Sequence, residues 1–229
     1  MALLVLMEII MTRYSFPTFL FILAAPFLPA SESSGVSGAA VIREMNLARQ
    51  NPALYADYIE ELRGHFDGRV LVLPGQTRIY TKEGLGAVNE AIRFLRSVRP
   101  QQPLILSEGM SRGAADHCAD QVSGDIGHGG TDSSNPGARM SRYGVWGGSW
   151  GENIAYGKTS ARDIVIALII DDGLRARKHR KNIFNPNFNY AGAASGPHAR
   201  YRTVCSIDFA GAYTERGQAN VGSLVARNF

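Results

Sequence analysis

Little in this 229-residue chain serves thiol chemistry. There are two cysteines, Cys118 and Cys205, and no Cys-x-x-Cys pair, which excludes a thiolate-clamped zinc site and a dithiol redox motif. No Asn-x-Ser/Thr sequon occurs, so N-glycosylation is not expected. His-Glu-x-x-His, a Walker A loop and a dinucleotide-binding fingerprint are all missing. Charge of one sign is also scarce: the net charge is +4. Basic residues gather only at Arg175, Arg177, Lys178, Arg180 and Lys181. That run reads as a solvated loop, or as a contact for an anionic headgroup. With no recognition motif beside it, nucleic acid is not an expected partner. Past the N-terminus no apolar run is long enough to cross a bilayer, so the mature chain is expected to carry no membrane span.

What is present is a globular composition, 45% hydrophobic and 19% charged, enough for one domain with a real core. The first thirty residues read as a secretory signal peptide. Met11-Thr12-Arg13 supplies positive charge, Phe19 to Leu28 an apolar stretch, and Leu28-Pro29-Ala30 a small-residue end. Residues 31–40, rich in Ser and Gly, read as a linker. A secreted chain permits one disulfide between Cys118 and Cys205; the alternative is two small buried hydrophobes.

Helical spacing begins at Ala39, with Val41, Met45 and Ala48 on one face. Asn51-Pro52 restarts a helix as N-cap and first position, and Gly64 ends it. Residues 64–81 read as a variable loop holding a short strand at Val70 to Leu73. Lys82 to Val98 and Ser107 to Ser123 read as helices, the second capped by Ser107. Gly124 to Gly151 is glycine-rich and reads as a functional loop. Ala161 to Asp171 reads as a buried helix opened by Thr159-Ser160 with Asp163 downstream. Phe188–Gly196 and Ala199–Ala210 read as two strands of a hairpin, and residues 214–229 as a tail.

The chemistry gathers in three places: His128 in Ile126-Gly127-His128-Gly129-Gly130, Glu152 in Gly151-Glu152-Asn153-Ile154-Ala155, and His179 in Lys178-His179-Arg180-Lys181-Asn182-Ile183. Their separation is too long for one helix face, so only the fold could bring them together. Two imidazoles and a carboxylate suit a divalent ion such as Zn²⁺ with an open position, and also suit acid–base work. The bland reading is a hydrogen-bonded network that holds the loops. Gly147-Gly148-Ser149-Trp150-Gly151 matches the nucleophile-elbow pattern, but no strand–turn–helix context is read around it. His117 reads as a hydrogen-bonded or surface helix residue.

Those motifs, with Tyr201 and Ile207-Asp208-Phe209 behind them, resemble the CAP family of cysteine-rich secretory proteins, antigen 5 and pathogenesis-related 1 proteins. The likeness runs from about Val41 to Tyr213 and is nearest to cysteine-poor, bacterial-type members. It implies an α+β fold, the α–β–α sandwich, with a small antiparallel sheet flanked by helices over residues 41–213. It implies a cavity lined by two histidines and two acids: His128, His179, Glu152, and either Asp171 or Asp172. Asn153, Trp146 and Trp150 are read as lining that cavity, with core packing the alternative for the two tryptophans. The implied function is a secreted, non-enzymatic binding module for a divalent metal, lipid or sterol, or an extracellular protein. The alternative is a metal-dependent hydrolase or peptidase at the same residues.

Overall fold

A computed structural model describes residues 35–75 and 77–217, within one compact unit, Ser34–Phe229. The signal peptide and most of the linker and tail lie outside the described residues. Helix α1 (Gly38–Gln50) begins inside the expected linker and turns Val41, Ile42, Met45 and Ala48 inward. Helix α2 (Pro52–Glu61) follows with Pro52 at its first turn, although Asn51 makes no side-chain capping bond. The expected variable loop holds a 3-10 turn (Leu62–His65) and three two-residue strands, β1 (Phe66–Asp67), β2 (Val70–Leu71) and β3 (Ile79–Tyr80), paired antiparallel. Helix α3 (Leu85–Ser97) closes this half.

The second half carries the main sheet. Strand β4 (Ile105–Leu106) leads into helix α4 (Glu108–Asp120), where Ser107 Oγ accepts the Met110 amide as its cap. Helix α5 (Pro136–Ser141) precedes strand β5 (Gly144–Tyr156). Helix α6 (Ala161–Ile170) starts at a Ser160 cap, and α7 (Lys178–Ile183) follows. Strands β6 (Tyr190–His198) and β7 (Arg202–Glu215) form the expected hairpin, with β7 running into the segment read as tail. The sheet order is β4-β6-β7-β5. It is mixed rather than wholly antiparallel, because β4 runs parallel to β6.

The largest departure from the sequence reading is β5. Glycine content argued for a loop there, yet the segment pairs with β7 from Gly144 to Tyr156. The register shifts between Gly147 and Trp150, where Gly148 takes φ 74°. A bulge at an edge strand accommodates glycines that a central strand would not.

Pleating then sorts the side chains into layers. Cys205, Ile207 and Phe209 of β7 join Ala155, Ala191 and Ala193 in the large core beneath α1, α2, α3 and α6. Val204, Ile154 and Cys118 form a separate cluster on the opposite, α4 side. The result is helices, sheet, helices, the expected α–β–α sandwich. Arg49, buried in α1, fastens the large core. Its guanidinium donates to the carbonyls of Gln102 (2.8 Å) and Asn185 (3.2 Å), and burial pulls its pKa down to about 10.

This layering corrects one expectation. Cys118 and Cys205 lie on opposite faces of the sheet, and both are free thiols. Burial pushes them up to about 12 and about 11. Without reductant, the native protein should therefore react slowly with Ellman's reagent, and two thiols should titrate after denaturation. Dithiothreitol should leave Tm unchanged; a Tm that falls on reduction would show a bridge.

Candidate functional site

The site is built on three successive residues of β5, which is an edge strand with one free side. A side chain at Gly151 would be crowded: a Cβ there would lie 3.2 Å from Phe188 and 3.3 Å from the Asn182 amide. Glu152 points to the α4–α5 face, and Asn153 to the other. Asn153 Nδ2 donates to the His179 carbonyl (3.0 Å), and Asn182 Nδ2 donates to Asn153 Oδ1 (2.9 Å). The asparagine thus moors α7, while its neighbour serves a different cluster.

Glu152 is buried. Its Oε2 accepts from Arg139 Nη2 (2.7 Å) and Ser206 Oγ (2.9 Å), and its Oε1 lies 2.6 Å from His128 Nδ1. Arg139, also buried, reaches back to the carbonyls of His128 (3.1 Å) and Ser134 (3.0 Å). One guanidinium therefore fixes both the acid and the loop that carries the histidine. The same loop is held from below. Gly127 O receives Gln121 Nε2 (2.7 Å) and lies 2.8 Å from His117 Nε2; Tyr156 Oη accepts the Gly127 amide (3.1 Å).

Two members of this cluster were not legible as site residues. His117 is fully buried, and desolvation lowers its pKa, against the opposing pull of Glu152. Asp208 sits directly opposite Glu152 in the β5–β7 register. It is fully buried, and neither carboxyl oxygen has a hydrogen-bond partner among the described residues. Burial first, then the Glu152 charge, drives its pKa well above the usual carboxylate range, while Arg139 pulls the other way. Gly192, its neighbour on β6, lets α4 close over it, because a Cβ there would collide with Met110 and Ser111.

His179 meets a different acid. Its Nδ1 lies 2.7 Å from Asp171 Oδ1, and its amide donates to Oδ2 (3.0 Å). Asp171 ends α6 in the left-handed region, φ 56°. Asp172 faces elsewhere and accepts the amides of Lys82 (2.6 Å) and Glu83 (2.8 Å). The two candidate acids therefore separate, and Asp171 is the one beside a histidine. Arg177 and Arg180 are buried and pair with Glu83 and Glu90, whereas Arg175, Lys178 and Lys181 of the same run are exposed.

Of the expected ligand set, His128 and Glu152 are in contact, whereas His179 contacts Asp171. Among the described residues, no three His, Cys, Asp or Glu side chains form a metal-holding group. At Glu152 Oε2 a cation would meet the Arg139 guanidinium. The histidines do fit. Each turns Nδ1 to a buried carboxylate, and neither Nε2 has a hydrogen-bond partner among the described residues. Trp146 and Trp150 form an edge-to-face pair (centroids 6.2 Å apart) against α5, with Trp146 Nε1 donating to Gly137 O (3.0 Å). Ser149 is exposed in the bulge, with no histidine hydrogen-bonded to it among the described residues.

The model of the cysteine-rich secretory protein family, CAP, matches residues 85–209, more than half of the chain. The chain belongs to this family. Among solved structures, the CAP chain is similar to an outer surface protein from Borrelia burgdorferi, at 14% identity and TM-score 0.38, over 49% of this chain and 78% of that one. It is also similar to a cysteine-rich secretory protein from Staphylococcus aureus, at 12% identity and TM-score 0.35, over 60% of this chain and 42% of that one. No curated protein matches significantly.

Two outcomes follow for the CAP cluster. Glu152→Ala strands the buried Arg139 charge and should cost about 3–5 kcal/mol in urea unfolding, whereas His128→Ala, half-exposed, should cost less than about 1 kcal/mol. Asp208 binds its proton more tightly folded than unfolded, so its contribution to stability is complete below about pH 4 and is lost as pH rises through the higher folded value. Asp208→Asn should therefore raise Tm near pH 8 relative to wild type, with the gap closing towards pH 4. A constant gap across that range would refute the assignment.

Proposed function

We propose that this CAP protein is an extracellular binding module in which His128 and His179 offer Nε2 to a divalent cation, Zn²⁺ foremost. One observation carries the reading: each histidine has its Nδ1 engaged by a buried carboxylate, Glu152 or Asp171. That contact fixes the ring and leaves Nε2 as the free lone pair, the arrangement common to metal-ligating imidazoles. The bound ion would supply a Lewis-acid centre. Glu152 and Asp171 act as orienting carboxylates rather than ligands. Family membership supports an extracellular setting, as do the signal-like features of the N-terminus. Among the described residues no helix is long and apolar enough to cross a membrane.

The binding reading is favoured over a hydrolase because Glu152 has both oxygens engaged and so makes a poor general base. Ser149 likewise has no base beside it. Lipid or sterol capture remains part of the proposal, with Trp150 as its partly exposed aromatic.

Calorimetry with ZnCl₂ tests the reading. Wild type should bind one equivalent, His128→Ala and His179→Ala should each abolish it, and Asp171→Asn should weaken it about 10- to 100-fold. Equal binding by wild type and the double histidine variant would overturn the proposal.

A further inference from the structure

Away from the histidines, a cavity of about 590 Å³ opens where α4 begins and β7 ends, in the range of about 300–1,000 Å³ typical of small-molecule sites. Its apolar wall is made by Ile105 and Leu106 of β4, 55% and 45% exposed, with Tyr190 at the start of β6. The Tyr190 hydroxyl has no hydrogen-bond partner among the described residues.

Helix α4 brings charges of both signs to this cavity. Glu108 and Arg112 lie four residues apart on it, and both line the space. Such a pair normally closes across one turn. Here it does not: among the described residues neither side chain forms an ion pair within 4.0 Å. Arg112 instead lays its guanidinium over the Tyr143 ring, 4.5 Å from the centroid. Asp116, one turn further along α4, is held by Arg142 (2.7 Å) and the Tyr143 hydroxyl (3.0 Å). Glu215, the other acid on the wall, accepts Ser107 Oγ (2.7 Å) and the Gly109 amide (2.9 Å), and so closes the start of the helix. Gly109 permits that contact, because a Cβ there would collide with the Glu215 carboxylate. Arg216 donates to the Ser141 carbonyl (2.8 Å). One carboxylate and one guanidinium are therefore left without partners, apart from each other and beside an apolar wall.

We propose that this cavity binds a short peptide with free termini, two or three residues long. Its carboxylate meets Arg112, its ammonium meets Glu108, and an apolar side chain rests against Ile105, Leu106 and Tyr190. Two opposite charges select a zwitterion over a simple anion or a neutral lipid. Their spacing selects a peptide: positions one helical turn apart have Cβ atoms about 5–6 Å apart, the two side chains diverge from there, and two or three extended residues span about 7–11 Å. The cavity shares no residue with the His128–Glu152 and His179–Asp171 pairs, so it stands whether or not those bind a cation.

Calorimetry of the full chain with leucyl-leucine is the test, beside its N-acetyl and C-terminal amide forms, each of which lacks one charge. Wild type should bind leucyl-leucine at one site, and each blocked form about tenfold or more weaker. Glycylglycine, which keeps both charges but has no apolar side chain, should also bind about tenfold or more weaker. Arg112→Gln should weaken leucyl-leucine about tenfold and no longer distinguish it from the amide, while still preferring it to the N-acetyl form. Glu108→Gln should show the converse. Both residues are exposed, so both variants should keep a cooperative thermal transition. Absence of leucyl-leucine binding, wild-type affinity in Arg112→Gln or Glu108→Gln, an Arg112→Gln variant that still discriminates against the amide, or glycylglycine bound as tightly as leucyl-leucine would each overturn the proposal.

Discussion

A buried ion pair, Arg139 with Glu152, holds the functional half of this protein together. Neither charge reaches water, so each is tolerable only because the other is there. The pair joins α5 to the edge strand, and Nη1 of Arg139 ties down the His128 loop through two carbonyls. His128 can be half-exposed and still be oriented, because the group that orients it is anchored beneath.

The neighbouring residue does the same on the other side. Alternation along β5 sends Asn153 away from Glu152, where it holds α7 and hence His179. The Gly-Glu-Asn sequence is therefore two anchors on one strand, with a glycine that lets Asn182 and Phe188 approach. The central carboxylate is not shared by both histidines. Each imidazole has its own acid. Asp208 adds a second carboxyl opposite Glu152, and its burial raises its pKa.

Much of this was legible in the sequence. Helices α1, α3, α4 and α6 follow from apolar spacing, and the Ser107 and Ser160 caps from their position before it. The motif residues identified the fold class and the two histidines. Strand β5 was not legible, because its glycines serve a bulge and close contacts, and both look like loop signals in a linear reading. A Cys118–Cys205 bridge could be neither asserted nor dismissed until the pleat placed the thiols on opposite faces. Arg139, His117 and Asp208 were hidden for another reason. Nothing in the linear sequence ties them to Glu152, and only the β5–β7 register and the packing of α4 and α5 bring them to it. The second acid could not be chosen by spacing, since Asp171 and Asp172 are adjacent; the left-handed end of α6 separates them.

The most direct measurement is a double-mutant cycle on Arg139 and Glu152, using Arg139→Met and Glu152→Met singly and together, by urea unfolding. Each single variant leaves a buried charge without its partner, and the double variant removes both. The account predicts a coupling of about 2–3 kcal/mol, with the double variant more stable than the sum of its parts implies. Additive losses would contradict it, and would mean that the loop and the edge strand are held by something other than this pair.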